Sequence, residues 1–127
     1  MARVSTPTVD GTTFMAEQRL RWSEHDFQEA VIDMARKDYA WTHVYHTYRS
    51  DRSEKGFPDL VLVREGATRS LMGRTGEIVF AELKSMKGKL SLEQESWYQA
   101  LRTVPNVRVC LWRPCCWNSG EIHAVLR

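Results

Sequence analysis

Asp59, Glu82 and Lys84 have the types and spacing that phosphodiester chemistry needs. Asp59 opens the apolar run Leu60-Val61-Leu62-Val63, and Glu82 and Lys84 close the run EIVFAELK at 77–84. Runs this short suit buried strands. Side chains alternate along a strand, so Glu82 and Lys84 share one face while Leu83 points the other way, into a core. If the two strands pair antiparallel with Val63 facing Ile78, Asp59 lies opposite Glu82, with Cβ atoms about 5 Å apart. Two carboxylates that close repel unless a positive charge compensates them. A hard cation, Mg²⁺ or Mn²⁺, takes oxygen ligands and retains waters, so Asp59, Glu82, the Leu83 carbonyl and a substrate phosphate form a sensible set. Such an ion polarises the phosphate and lowers the pKa of a bound water. Lys84 then orients the water or stabilises the charge of the transition state.

The elements that must position these residues are legible on either side. Ser23 with Asp26 resembles a capping box, and Phe27, Val31, Met34 and Ala35 recur at helical spacing, which predicts a helix over 24–38. WTHVYHTY at 41–48 is aromatic and β-branched and reads as a first strand. The strands at 59–63 and 77–84 form a hairpin around the polar stretch 64–76. Ser91 with Gln94 is a second capping-box pattern, opening a helix whose Trp97, Tyr98, Leu101 and Val104 share an apolar face before Pro105. Residues 107–112 read as a final strand, and 117–126 as a short helix weakened by Gly120. The fold class is α/β: a mixed central sheet of about four strands flanked by helices, in the order α-β-β-β-α-β. Residues 1–22 read as a flexible N-terminal tail, leaving 23–127 as the domain.

Composition sets the outer limits. At 127 residues the chain holds one domain, and 43% hydrophobic with 27% charged residues excludes wholesale disorder. A formal charge of +2 does not by itself announce nucleic acid, so any basic surface must be local. No apolar run approaches the roughly 20 residues that span a bilayer. Cys110, Cys115 and Cys116 are odd in number and crowded, which points to reduced thiols and a cytoplasmic setting. With His123 they lack the paired CxxC spacing of a zinc site.

Gly56-Phe57-Pro58-Asp59 followed by Glu82-Leu83-Lys84 resembles the PD-(D/E)XK nuclease pattern. With Glu24 to Gln28, His46, GFPDLVLV at 56–63, FAELKS at 80–85 and LSLEQESW at 90–97, the chain resembles the VRR-NUC branch in particular. The resemblance covers residues 23 to 127. It implies a restriction-endonuclease-like core and metal-dependent DNA cleavage. It also implies likeness to small stand-alone viral and bacterial members, themselves similar to homodimeric Holliday-junction resolvases. The metal-binding carboxylates carry over to Asp59 and Glu82, the catalytic lysine to Lys84, the first-helix acid, an outer or second-metal ligand, to Glu24, and the second-helix glutamine to Gln94. Helical spacing agrees with two of these assignments: Glu24 and Gln28 form the polar end of a stripe that turns apolar at Val31 and Ala35, and Gln94 aligns with Trp97, Leu101 and Val104. Each also has a plainer explanation, Glu24 as a charge in the first helical turn and Gln94 as the closing residue of its capping box.

His43 and His46 stand an odd number of residues apart, so a regular strand sends at most one to the cleft. His46 is the candidate for a phosphate contact, against the plainer role of a structural histidine. Arg49, Arg52, Lys55, Lys87 and Lys89 are solvated loop charges by default. Where they flank the cleft, they supply the positive surface that a DNA backbone needs. The expectation is a Mg²⁺- or Mn²⁺-dependent DNA endonuclease selecting branched DNA, acting as a homodimer because one small domain has one cleft. Its rivals are a non-catalytic DNA-binding or assembly subunit and a sequence-specific restriction-type enzyme.

Overall fold

A computed structural model describes residues 11–47, 54–66, 69–70, 73–74 and 76–127, with backbone alone at 69–70 and 73–74. Eleven elements follow in chain order: α1 (Gly11–Arg19), α2 (Glu24–Asp38), β1 (His43–His46), β2 (Leu60–Arg64), β3 (Arg69–Ser70), β4 (Gly73–Arg74), β5 (Glu77–Leu83), α3 (Leu92–Arg102), β6 (Arg108–Trp112), α4 (Pro114–Asn118) and α5 (Glu121–Leu126). The main sheet has the order β1-β2-β5-β6, and β3 and β4 form a separate two-stranded sheet. β1, β2 and β5 run antiparallel, whereas β6 lies parallel to β5. A parallel neighbour needs a crossover, and α3 lies in it. The architecture is α/β with a four-stranded mixed sheet, consistent with a restriction-endonuclease-like fold.

The register of the central pair follows from burial. Leu60 and Leu62 of β2 and Val79, Ala81 and Leu83 of β5 alternate into one core, and a slip by one residue would turn all of them outward. Val63 faces Ile78 and Leu60 faces Ala81. Phe27, Val31 and Ala35 of α2 and Ile122 and Leu126 of α5 complete this core. Phe57 and Trp97 meet edge to face at 5.1 Å, and Phe57 meets Phe80 at 6.2 Å.

Five local expectations are corrected. First, the segment expected to be a tail contains α1, held by Asn118, whose Nδ2 donates to the Ala16 carbonyl, and by Arg19 stacked over Trp117. Its own sequence carries no apolar stripe, and no residue of α1 is buried. Second, β1 starts at His43 rather than Trp41: Trp41 turns into the core and its Nε1 donates to the Leu126 carbonyl at 2.9 Å. Third, the polar stretch 64–76 is not wholly a connection, because Arg64 belongs to β2 and β3 pairs with β4. Fourth, α3 ends at Arg102, leaving Val104 44% exposed rather than packed. Fifth, the last helix is two, divided at Gly120, whose φ of +87° suits glycine. Among the described residues no helix is long and apolar enough to cross a membrane.

One cation gathers the ends of these elements. The Arg64 guanidinium donates to the carbonyls of Tyr39, Leu126 and Arg127 and to Glu77, and lies 4.3 Å over the Trp41 ring. It thereby satisfies carbonyl groups at the C-terminal ends of α2 and α5, which have no partner within their helices. Arg64→Ala should cost about 2 kcal/mol of unfolding free energy, because Glu77 and these carbonyls lose a charged donor together. Denaturant titration checks the value.

Candidate active site

The site lies where β2 begins and β5 ends, between the first turns of α2 and α3. A cleft of about 170 Å³ is lined by Glu24, His25 and Gln28 of α2, Asp59, Leu83, Lys84, and Gln94 of α3. Glu82 lies beneath it, 3% exposed. Two larger depressions, about 340 and 370 Å³, lie elsewhere along the sheet; their linings contain none of these residues.

Asp59 immediately precedes β2, in line with the Leu60–Ala81 pairing, which puts it opposite Glu82. Its carboxylate turns along the strand end, where Oδ2 accepts the Leu83 N–H at 2.7 Å. The Pro58–Asp59 step is clasped from β1's side: the Thr47 hydroxyl donates to the Pro58 carbonyl at 2.7 Å, and the Thr47 N–H to the Asp59 carbonyl at 2.8 Å. Gly56 sets the approach of α3. Its φ is +88°, and a Cβ there would fall 2.4 Å from the Glu93 carbonyl carbon and 2.7 Å from the Gln94 nitrogen. The glycine therefore lets this loop touch the first turn of α3.

That closeness brings Gln94 to Glu82. The Gln94 amide serves two purposes at once: Oε1 accepts the Ser91 N–H at 2.8 Å, closing the capping box, and Nε2 donates to Glu82 Oε1 at 3.0 Å. On the other wall Ser23 caps α2 by accepting from the Asp26 N–H, and Glu24 presents Oε1 to Lys84 Nζ at 3.5 Å. Glu24 thus sits beside the lysine. Among the described residues no three His, Cys, Asp or Glu side chains gather closely enough to hold a metal ion together.

The Glu82 carboxyl is pushed from its ordinary 4.5 up to about 9, first by burial, then by the neighbouring Asp59 charge and a hydrogen bond with Asp59; Lys84 opposes the rise, and Glu24 adds slightly to it. Two carboxyl groups within hydrogen-bond reach, one almost sealed from water, form an acceptor-rich centre that only a proton or a cation neutralises. A hard divalent ion fits this donor set. Asp59, Glu82 and the Leu83 carbonyl are all oxygen ligands, and Mg²⁺ is commonly bound by one or two carboxylates with its remaining positions open to water and phosphate.

The remaining expected site residues fall into three groups. Lys55 is 3.8 Å from Glu93 at the start of α3, and Lys87 and Lys89 are exposed in the β5–α3 connection; none of the three lines the cleft. His46 is half-buried at the end of β1 opposite Leu60, whereas His43 is exposed. Arg49 and Arg52 lie outside the described residues. Two features escaped sequence reasoning: His25 as a cleft residue and Thr47 as the clasp on Asp59. His25 directly follows Glu24 in the same helical turn, which is a usable signal; Thr47 has none, since its partners belong to a distant segment. The cysteines are free, and burial pushes the Cys110 and Cys116 thiols up to about 11 and about 12, where they stay protonated.

Two outcomes follow. Gly56→Ala should destabilise the chain by more than about 2 kcal/mol, read by denaturant titration, because it strains a left-handed backbone and strikes the α3 backbone. The folded Glu82 carboxyl holds its proton more tightly than the unfolded one. Its contribution to stability is therefore full below about pH 4.5 and is lost as pH rises toward about 9. In chelator, Glu82→Gln should melt higher than the parent chain by about 5 °C or more at pH 9, with the gap closing near pH 5.

The VRR-NUC domain, a nuclease domain of the restriction-endonuclease-like type, matches residues 9–113, which takes in the sheet, α2, α3 and every residue of the cleft. No curated protein and no solved structure matches the chain. The match begins before α1, so that helix falls within the matched segment. Matched over most of its length and carrying the fold such a domain requires, the chain belongs to the VRR-NUC family and is a nuclease-type, DNA-processing domain.

Proposed function

We propose that this chain is a Mg²⁺- or Mn²⁺-dependent DNA endonuclease whose reaction runs in the cleft between α2 and α3. The observation that carries the reading is the meeting of Asp59 and a nearly sealed Glu82 beside a lysine that is itself only 9% exposed. Asp59, Glu82 and the Leu83 carbonyl would hold the ion. When bound, it supplies Lewis-acid polarisation of the scissile phosphate and activation of water.

The chain's own residues do the rest. Leu83 N–H and Gln94 Nε2 each fix one oxygen of a carboxylate, and the other oxygen of each is the proposed ligand. Lys84 places its ammonium at the cleft, where it orients the attacking water or stabilises the extra negative charge of the pentacovalent phosphate. Glu24 anchors that ammonium and thereby keeps it in position between turnovers. The first turns of α2 and α3 both meet the cleft, and their backbone N–H ends favour a phosphate there. His46, Lys55, Lys87 and Lys89, with Arg49 and Arg52, are the proposed contacts to the flanking DNA backbone. Branched or junction DNA is the proposed substrate, on the resemblance to small stand-alone members of the family. A homodimer is the proposed working unit, since symmetric cutting of two strands needs two clefts.

The test is cleavage of four-way junction, flap and linear duplex DNA by the full chain, with Mg²⁺ or with EDTA. Cleavage should require the metal and favour the junction. Asp59→Ala and Glu82→Ala should each lower the rate by roughly 100-fold or more while DNA affinity changes by less than about 3-fold. Full cleavage by either variant rejects the site. DNA binding without cleavage under any metal would favour a non-catalytic subunit, and a fixed cut sequence on linear duplex a restriction-type enzyme.

A further inference from the structure

Lys84 has four side-chain torsions, and the Glu24 carboxylate 3.5 Å from Nζ holds its tip. The turn that follows it, Ser85 to Gly88, is tight: the Gly88 N–H donates to the Ser85 carbonyl at 3.2 Å and to the Ser85 hydroxyl at 3.1 Å. Its first and last carbonyls both point to one cation. Arg113 Nη1 donates to the Ser85 carbonyl at 2.7 Å and to the Gly88 carbonyl at 2.6 Å. Arg113 directly follows Trp112, the last residue of β6, whose carbonyl accepts the Lys84 N–H at 3.0 Å. The end of β5 is therefore tied to the end of β6 twice, through backbone at Lys84 and through the arginine one step further on.

The turn passes close to the lysine stem. A Cβ built on Gly88 would come within 3.3 Å of Lys84 Cδ and 3.2 Å of the Ser85 hydroxyl, closer than ordinary van der Waals contact. Arg113 is not among the residues that line the cleft. Its Nη1 bridges the two carbonyls of the turn.

We propose that Arg113 is a positioning residue for Lys84: by cross-linking the Ser85 and Gly88 carbonyls it presses the turn onto the lysine stem and fixes where the ammonium stands. The inference deepens the nuclease reading above and rests on it for its catalytic consequence. The placement of Lys84 is a separate matter, open to direct measurement.

The test has two independent readouts on the full chain. In protein carrying ¹³C-labelled lysine, the two ε-methylene protons of Lys84 should give separate chemical shifts, as an immobile side chain does, with the signal assigned by its loss in Lys84→Arg. Arg113→Ala should merge them into one averaged shift, and Arg113→Lys, which retains a cationic nitrogen donor on a shorter side chain, should restore part of the separation. Unchanged separation in Arg113→Ala overturns the proposal. In single-turnover cleavage of a four-way junction with Mg²⁺, Arg113→Ala should slow the rate about 10-fold or more with DNA affinity within about 3-fold. In a Lys84→Ala background the same change should cost less than about 2-fold, because the group it positions is gone. Losses that simply multiply would overturn the proposal. If the parent protein does not cut DNA, the nuclease reading fails while the methylene shifts still decide the placement. If Arg113→Ala does not fold, Gly88→Ala decides it: the added methyl meets Lys84 Cδ as well as the Ser85 hydroxyl, and Lys84 shifts identical to the parent's would overturn the proposal.

Discussion

A carboxyl group buried beside another carboxyl is the constraint around which this end of the molecule is arranged. Glu82 is nearly sealed, Asp59 adjoins it, and neither can be moved away because both sit at the ends of strands whose other side chains build the core. The surrounding groups read as responses to that pressure. A backbone N–H takes one oxygen of Asp59, a side-chain amide takes one oxygen of Glu82, and a lysine brings positive charge that a further carboxylate holds in place. Such a cluster is costly for stability alone, since burying unpaired charge disfavours folding. Its persistence in an otherwise well-packed fold supports the proposed cation-binding role.

Gln94 illustrates how economically the site is assembled. Its two amide ends face different demands, the carbonyl completing the start of α3 and the amino group supporting Glu82. Capping and site support are usually separate explanations for a glutamine at this position. Here the capping geometry aims the amino group at the carboxylate, because the first turn of α3 is drawn tightly against Gly56.

The parts of the fold legible in the sequence are those governed by short-range periodicity. The α2 stripe, the β2–β5 register and the Ser91–Gln94 box all arise from residues a few positions apart, and the register in turn foretold that Asp59 would meet Glu82. What escaped has distant causes. α1 has no apolar stripe and is placed by Asn118 and Trp117, about a hundred positions away. Trp41 looks like a strand residue in isolation but is drawn inward by the end of α5. Thr47 and Arg113 act through backbone carbonyls of remote segments, and a carbonyl acceptor leaves no mark in the sequence.

The way the central register is fixed has a consequence for how freely this chain can vary. Alternating burial of Leu60, Leu62, Val79 and Ala81 locks the two strands together, and β3 and β4 form a sheet of their own. The linker between Arg64 and Glu77 can therefore grow, shrink or carry an inserted module at little thermodynamic expense, since loop closure depends only weakly on length. A single residue added inside either strand would instead rotate the acidic pair out of coincidence. Natural diversification and protein engineering alike have room in that connector and none in the ladder beside it.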